Sequence, residues 1–282
     1  MSHAEAAAEP DVPALAAQFK SELSTGSIDL PLLPGVAAEV LSSSLDDHAD
    51  AARLAELIQQ DQALATHVLR VVNSPAFRGA IEIVALQQAI ARLGMERIRE
   101  IALSASLKGA LFEGGRYQRV ADESWQIALG SGLWAKEVAR ACRKNVEMAY
   151  LSGLLHNIGV PLVLHRLGQL APDLPREAVD ELLNLVVQPA GVVLAEEWQL
   201  PGLVAVTIRH LDDFAAAGEH SDAVAVAATG AALGSWMCTR GILISEVNAL
   251  PSTQHLGLYP DDVAAILEHM DDIKISLESM NI

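Results

Sequence analysis

Apolar residues recur at a spacing of three or four along nearly the whole chain, and this spacing most strongly limits the possible folds. In the segment 51–60, Leu54, Leu57 and Ile58 form one apolar face, and the segment 62–72 repeats the pattern. Such spacing is typical of an amphipathic α-helix. We find no stretch with the alternating pattern of a half-buried strand, so the sequence predicts an all-α fold.

Helix-breaking and helix-capping residues divide this pattern into separate helices. Asn73 and Pro75 end the helix that begins at Gln62, because Asn suits a helix C-terminus and Pro cannot continue the hydrogen-bond ladder. Asp122 is a candidate N-cap for a long helix in the second half of the chain. Near the C-terminus a single helix is predicted over 260–276.

The composition agrees with packed helices. Hydrophobic residues make up 51% of the 282 residues but aromatic residues only 4%, so the core must consist of Ala, Leu, Val and Ile. Ala and Leu favour helices over strands. Gly109, Gly114 and Gly115 loosen the chain around 108–119, which predicts a boundary between an N-terminal and a C-terminal half.

The charge balance excludes several classes of partner. Nineteen Lys and Arg residues against 36 Asp and Glu residues give a net charge of -17, which repels nucleic-acid backbones and anionic membranes. The stretch 223–239 is apolar but falls short of the roughly 20 residues of a membrane span. Cys142 and Cys238 have no CxxC spacing, and residues 1–11 lack the features of a secretory signal, so a cytoplasmic location is expected.

Six local motifs occur in one order, and this order is more specific than any motif alone. They are Leu30-Pro-Leu-Leu-Pro-Gly-Val36, Ile58-Gln-Gln-Asp61-Gln-Ala-Leu-Ala65, Leu69-Arg-Val-Val-Asn73-Ser74, Ala89-Ile-Ala-Arg-Leu-Gly94, Gly153-Leu-Leu-His156-Asn157-Ile-Gly159, and Trp198-Gln-Leu-Pro201 followed by His210. Together they resemble the HDOD domain, a bacterial relative of the HD and HD-GYP metal phosphohydrolases. The resemblance covers roughly residues 28–230.

The resemblance implies a compact multi-helix bundle with an N-terminal and a C-terminal lobe, acting in bacterial signalling. The expected organisation is a disordered leader at 1–13, an HDOD-like domain at 14–240 and a helical extension at 241–282 packed on that domain. Within the domain the N-lobe covers about 28–108 and the C-lobe about 120–240.

The resemblance also locates the metal site of the related hydrolases, and most of its ligands are missing. The His-Asp pair that names the superfamily is His156-Asn157 here, and an amide is a poor substitute for a metal-bridging carboxylate. The other matching positions are Gly130, Val187, Thr229 and a distal histidine, His210. Because catalytic metal sites need three or more protein ligands, we expect no metal, no cofactor and no catalysis.

For His156 the structural interpretation is an imidazole that is hydrogen-bonded within a tight turn beside Gly159, with Asn157 as its partner or as a helix cap. His210 is expected at a helix end, where Asp212 and its neighbour in sequence could pair with it. His165 and His255, which lie in no motif, are expected to face solvent.

Without a metal, the predicted function is that of a protein-interaction scaffold or relay in two-component or cyclic-di-GMP signalling. The expected partners act in trans and are of the response-regulator, sensor-kinase or diguanylate-cyclase type. A local basic region consists of Arg92, Arg97, Arg99, Arg116 and Arg119. It could bind an acidic partner or an anionic nucleotide, or could simply be solvated helix surface.

Two alternatives remain open at this point. One is a sensor that binds a nucleotide, such as a cyclic dinucleotide, without hydrolysing it. That activity would require arginines such as Arg116 and Arg119 near the ancestral cleft. The other is a divergent metal-dependent phosphohydrolase that uses His156 and His210 with further ligands.

Overall fold

The computed structural model describes residues 11–43, 51–77, 79, 81–113 and 115–281, and within these ranges the regular structure is helical. The prediction of an all-α fold is confirmed. The helices of the first half are α1 (Val12–Thr25), α2 (Gly35–Ser43), α3 (Ala51–Gln60), α4 (Gln62–Val72), α5 (Leu86–Leu93) and α6 (Met95–Leu111). Those of the second half are α7 (Gln118–Ala141), α8 (Val146–Leu155), α9 (Gly159–Leu170), α10 (Arg176–Glu197), α11 (Gly202–His210) and α12 (Ser221–Thr239).

Four shorter helices follow, which are α13 (Ile244–Ala249), α14 (Pro251–His255), α15 (Pro260–Leu267) and α16 (Met270–Met280). Two 3-10 segments, Gly115–Tyr117 and Leu211–His220, connect α6 to α7 and α11 to α12. The expected long helix over 260–276 is therefore two helices, with α15 ending at Leu267. Residues 1–10 of the expected leader lie outside the described residues, and the rest of that segment includes the start of α1.

The N-lobe is built around α6, which packs against α2, α4 and α5. Its apolar face is closed by fully buried side chains such as Ile98 and Ile101. Asp61 caps α4, accepting hydrogen bonds from the backbone N–H groups of Ala63 (2.9 Å) and Leu64 (3.0 Å). The acidic residue of the second motif therefore fixes where α4 begins.

The C-lobe is centred on α7, which packs between α8 and α12. The backbones of α7 and α12 approach so closely that a methyl group on Gly234 would lie 2.5 Å from the backbone nitrogen of Ser131. Only a residue without a side chain fits there, because backbone atoms cannot move aside. Trp134, on the same helix, is fully buried.

The two ends of the described chain are fastened to the body of the protein. On α1, the Glu22 carboxylate accepts two hydrogen bonds of 2.8 Å from Arg166 of α9. At the other end, the Lys108 ammonium of α6 donates to the backbone oxygen (2.6 Å) and side-chain oxygen (3.0 Å) of Asn281. The C-terminal helices thus reach the N-lobe.

The expected N-cap of the long helix is wrong. Helix α7 begins at Gln118, one turn earlier, and Tyr117 precedes it in a 3-10 turn. The side chain of Asp122 instead accepts a hydrogen bond from the Gln118 side chain at 3.0 Å. Pairs four residues apart on a helix stabilise it in the same way, so an acidic residue near a helix start need not be its cap.

One helix in the described part of the chain, α10, is long and apolar enough to cross a bilayer by length and composition alone. It packs against α9, α1 and α11, and its buried residues include Leu182 and Val186. A helix with such neighbours is a core helix of the bundle.

Candidate functional site

The His156-Asn157 pair forms the turn between α8 and α9. The Nδ1 atom of His156 lies 2.7 Å from the carbonyl oxygen of Gly153. Because a carbonyl oxygen can only accept, Nδ1 carries the ring proton and Nε2 keeps its lone pair. The hydrogen bond fixes the ring against the last turn of α8.

Burial favours the neutral form of the His156 side chain. Burial of the ring lowers the pKa of His156, although the Gly153 carbonyl and the charge of Asp212 act in the opposite direction. Asp212 lies in the 3-10 segment that follows α11. The sequence predicted that Asp212 would pair with His210, and its electrostatic relation to His156 was not anticipated.

Asn157 connects the turn to a different helix. Its Nδ2 atom donates a hydrogen bond to the carbonyl oxygen of Ser124 on α7, at 3.1 Å. Its Oδ1 atom is buried and has no hydrogen-bond partner among the described residues. An ionised aspartate at this position could not donate to Ser124, so this contact depends on the amide.

Gly159, the last residue of this motif, lets the backbone at the start of α9 pack directly against the backbone of α10. A methyl group here would lie 2.2 Å from the carbonyl oxygen of Val187 and 2.7 Å from the backbone nitrogen of Gly191. Both neighbours are backbone atoms, so any side chain at residue 159 would push the two helices apart.

Two other positions matched to hydrolase ligands, Gly130 and Thr229, take part in helix packing and hydrogen bonding. Gly130 faces α12, with Met237 and Gly234 nearest to it. Thr229 is buried, and its hydroxyl donates to Ala225 O (2.9 Å) and accepts from the Ser252 hydroxyl (2.8 Å).

Val187 and His210 complete the set of matched positions. The backbone of Val187 contacts α9, as described above for Gly159. His210 is the half-buried last residue of α11. Within the described residues it forms no ion pair with Asp212 or Asp213.

These residues do not fit a catalytic metal centre. In the described part of the chain no group of three or more His, Cys, Asp or Glu side chains is arranged to hold a metal ion. At the turn itself, the Nε2 lone pair of His156 and the Oδ1 oxygen of Asn157 supply at most two donors. Catalytic zinc sites use three protein ligands and keep one position open for water.

The five arginines expected to form a basic region each have an acceptor, although Glu100 is shared with Lys136 and Glu123 with Arg176. Arg92 donates to the backbone oxygen of Ile81. The ion pairs of the other four are Arg97–Glu100 (2.9 Å), Arg99–Glu147 (3.7 Å), Arg116–Asp173 (2.9 Å) and Arg119–Glu123 (3.3 Å). Arg116 (66% exposed) and Arg119 (81%) lie on the solvated surface, whereas Arg97 (29%) and Arg99 (13%) are largely covered.

His165 and His255 each contact a polar side chain nearby. His165 is exposed, and its Nε2 lies 3.1 Å from the Gln169 side chain. His255 Nε2 lies 3.1 Å from Asp222, and its ring packs against Phe214 with centroids 5.0 Å apart. The second histidine is thus tied into a surface cluster.

Two other motifs hold parts of the molecule together. The indole N–H of Trp198 donates to the carbonyl oxygen of Pro31 at 2.9 Å, which joins the end of α10 to the loop before α2. Asn73 donates to Leu69 O (2.9 Å) and Ile83 O (2.7 Å), and accepts from Ile83 N (2.8 Å). The Asn73 side chain therefore clamps the loop that precedes α5.

That clamped loop carries apolar side chains into solvent. Ile81 is 76% exposed and Val84 is 72% exposed, whereas Ile83 between them is buried. Leu32, in the loop held by Trp198, is 90% exposed. Large exposed apolar side chains on ordered loops are a feature of protein-binding surfaces.

Comparison with known proteins agrees with this geometry. The sequence profile of the HDOD domain matches residues 30–214. An HDOD domain protein of unknown function from Geobacter sulfurreducens superposes with a TM-score of 0.73 at 21% identity, covering 95% of this chain and 99% of that chain. A proposed metal-dependent phosphohydrolase from Shewanella amazonensis SB2B gives 0.71 at 22% identity, covering 96% and 98%.

A third solved structure, a proposed signal transduction protein from Marinobacter aquaeolei VT8, gives a TM-score of 0.65 at 21% identity and covers 98% of this chain and 67% of that chain. At these identities the likeness shows the fold alone. Among curated proteins, an uncharacterized protein of Treponema pallidum (strain Nichols) is 28% identical over 197 residues. The match covers 64% of this chain and 37% of that protein, so it spans little more than a third of the relative's length.

Proposed function

This chain belongs to the HDOD domain family, and from that premise we propose that it is a non-catalytic module of bacterial signal transduction. It binds other signalling proteins as a scaffold or relay in the cytoplasm, where its two cysteines stay reduced. The observation that carries the proposal is the bond from Asn157 to Ser124 O at 3.1 Å. A residue that anchors a turn through its amide N–H group is a structural residue, not a ligand that bridges metals.

The roles of the other motif residues support the same conclusion. Asp61 caps α4, Asn73 clamps a loop, Gly159 permits close helix packing and Trp198 joins two segments that are far apart in sequence. Each of these roles sets the shape of the bundle. What such a bundle offers to the outside is its surface, so its activity is binding.

The binding surface is proposed to include Ile81 and Val84 on the clamped loop. Their exposure leaves apolar area in water that a partner would cover, and Asn73 holds the loop in place, so little order is lost on binding. The partners are response regulators, sensor kinases or diguanylate cyclases acting in trans. The nucleotide sensor with Arg116 and Arg119 is the weaker hypothesis, because both guanidinium groups already pair with carboxylates.

The catalytic part of the proposal is tested by metal content. Wild-type protein and the Asn157→Asp variant are purified without chelator, incubated with manganese, iron or zinc, desalted and measured by elemental mass spectrometry. We expect near-zero occupancy in both proteins, and lower stability in the variant because its carboxylate faces the Ser124 carbonyl. Stoichiometric metal in the wild type would overturn the non-catalytic proposal and reopen the phosphohydrolase hypothesis.

The binding part is tested with purified response regulators, sensor kinases and diguanylate cyclases from the same genome. We expect at least one to bind the wild type in biolayer interferometry. The double variant Ile81→Ser/Val84→Ser should bind it at least tenfold more weakly. Leu243→Ser is the matched control, since Leu243 is also exposed (57%) but lies in the C-terminal part of the chain. Equal weakening by both variants would contradict the placement of the surface.

A further inference from the structure

The N-lobe contains a cavity that none of the motifs explains. It has a volume of about 490 Å³ and lies between α4, α6 and the start of α2. Pro34, Leu64, Ala105 and Ala110 give it apolar walls, and His67 and Arg70 also line it. Pockets of this volume are typical of sites for small organic molecules.

His67 offers a hydrogen-bond donor with no partner. Its Nδ1 atom lies 3.2 Å from a guanidinium nitrogen of Arg70, and because a guanidinium only donates, Nδ1 accepts and Nε2 carries the proton. The Nε2 atom is buried and has no hydrogen-bond partner among the described residues. A buried N–H group without an acceptor costs stability, and a turn of the ring that brings Nε2 to the cavity would let a ligand oxygen accept from it.

Two cations act on the His67 ring, namely Arg70, which lines the cavity, and Lys108, which lies outside the lining. In the part of the chain that the structure describes, neither Arg70 nor Lys108 forms an ion pair with a carboxylate. Lys108 uses its ammonium on the two oxygens of Asn281, and one of its three N–H groups remains. Burial, followed by the charges of Arg70 and Lys108, lowers the pKa of His67 to about 4, so both cations act on the same ring.

The charge arrangement is unusual for this protein, whose net charge is -17. Cations that repel one another in a partly buried site are stabilised by a bound anion. One carboxylate, that of Asp61, also lines the cavity, but its Oδ1 already accepts from two backbone N–H groups at the start of α4. Asp61 would face the uncharged part of a ligand, where it can accept from a hydroxyl or amino group.

We infer that this cavity binds a phosphate monoester of a small organic molecule, with the phosphate beside His67 and Arg70 and the organic part against the apolar walls, while Lys108 adds its positive charge from outside the lining. The Arg70 guanidinium offers a fork of N–H donors that suits phosphate oxygens, and a phosphate monoester, which carries nearly two negative charges at pH 7, gains more from the nearby cations than a carboxylate does. The inference is independent of partner binding through Ile81 and Val84.

The test uses AMP and inorganic phosphate as probes, with acetate at equal ionic strength as the carboxylate control. Binding is followed at pH 7 by the NMR signals of the His67 ring. We expect saturable shifts with AMP and with phosphate, and a His67 pKa that rises from about 4 when phosphate is bound. Arg70→Gln should weaken binding of both probes at least tenfold, whereas Arg140→Gln, which alters an exposed arginine of the C-lobe, should not.

A second variant separates the two halves of the site. Ala105→Leu places a larger side chain against the organic part, so AMP should lose more affinity than inorganic phosphate. Circular dichroism and thermal unfolding verify that each variant is folded. The inference is overturned if neither probe gives a saturable response, if Arg70→Gln binds as the wild type does, or if acetate binds as tightly as phosphate. Unchanged AMP binding in Ile81→Ser/Val84→Ser shows that the two proposals stand or fall separately.

Discussion

Lys136 of α7 donates a hydrogen bond to Glu100 of α6 inside the protein, where the two residues are only 5% and 9% exposed. The pair joins the N-lobe to the C-lobe. Glu100 has a second cationic partner, because it also accepts from Arg97 at 2.9 Å. Lys136 has one carboxylate partner in the described structure, which is Glu100. Removal of Glu100 therefore leaves Lys136 without a carboxylate, whereas removal of Lys136 leaves Glu100 paired with Arg97.

This inequality predicts different costs for the two single substitutions. Glu100→Leu leaves a buried ammonium without its carboxylate and should cost about 3–5 kcal/mol. Lys136→Met should cost less, because Arg97 still neutralises Glu100. The double variant should recover most of the loss. Urea unfolding measures all three, and equal losses in the two single variants would contradict the asymmetry.

The same pair gives a pH dependence with a defined sign. Burial lowers the pKa of Lys136, and Glu100 opposes this effect. In Glu100→Leu the folded-state pKa should fall further below that of the unfolded chain. The unfolded state then binds more protons, so the stability of this variant should rise with pH more steeply than that of the wild type. Urea midpoints between pH 7 and 9 provide the comparison.

Gly159→Ala should destabilise the protein by about 3 kcal/mol or more, since its methyl group would meet the backbone of α10 at 2.2 Å. Gly168→Ala is a control in the same helix, because a methyl group at Gly168 meets nothing within 4 Å. We expect this control to be neutral or to stabilise by about 0.5–1 kcal/mol through helix propensity. Thermal unfolding of both variants measures the difference, and similar midpoints would argue against the close packing of α9 on α10.

Asn73→Asp should release the loop that carries Ile81 and Val84. A carboxylate can still accept from Ile83 N, but it can no longer donate to the oxygens of Leu69 and Ile83, at a cost of about 1–3 kcal/mol. Asn145→Asp is the control, because Asn145 caps α8 only as an acceptor, from Met148 N at 2.9 Å. Amide exchange at Ile83 should accelerate in the first variant alone.

His67 should make the protein less stable as the pH falls from 6.5 to 4. Its folded-state pKa of about 4 lies below the model-peptide value of 6.5, so the unfolded chain takes up the proton first. The contribution is complete above pH 6.5 and is lost towards pH 4, on the order of 2 kcal/mol after solvent screening. His67→Gln should show a smaller loss of stability over this range, and urea midpoints at pH 7, 5.5 and 4.5 test it.

Several features follow from the sequence because they depend on neighbours in the chain. The helical spacing of apolar residues and the stops between them gave α3 and α4 with their observed ends. The order of the motifs identified the family. The prediction for Asp122 was wrong because an aspartate in the first turns of a helix can accept from a side chain four residues earlier, here that of Gln118, as well as from backbone N–H groups at a cap.

Contacts between segments that are distant in sequence determine the surroundings of Asn157, Trp198 and His67. Helix packing decides three of these contacts. It brings Asn157 to Ser124, it brings Trp198 to Pro31, and it places Lys108 of a second helix near His67. No local pattern records these contacts, since each pairs residues separated by tens of positions in the chain. The sequence by itself determined most of the helices and the order of motifs that identifies the family. Only the tertiary structure decided which polar groups are satisfied and where a cavity remains, because both depend on the packing of whole helices.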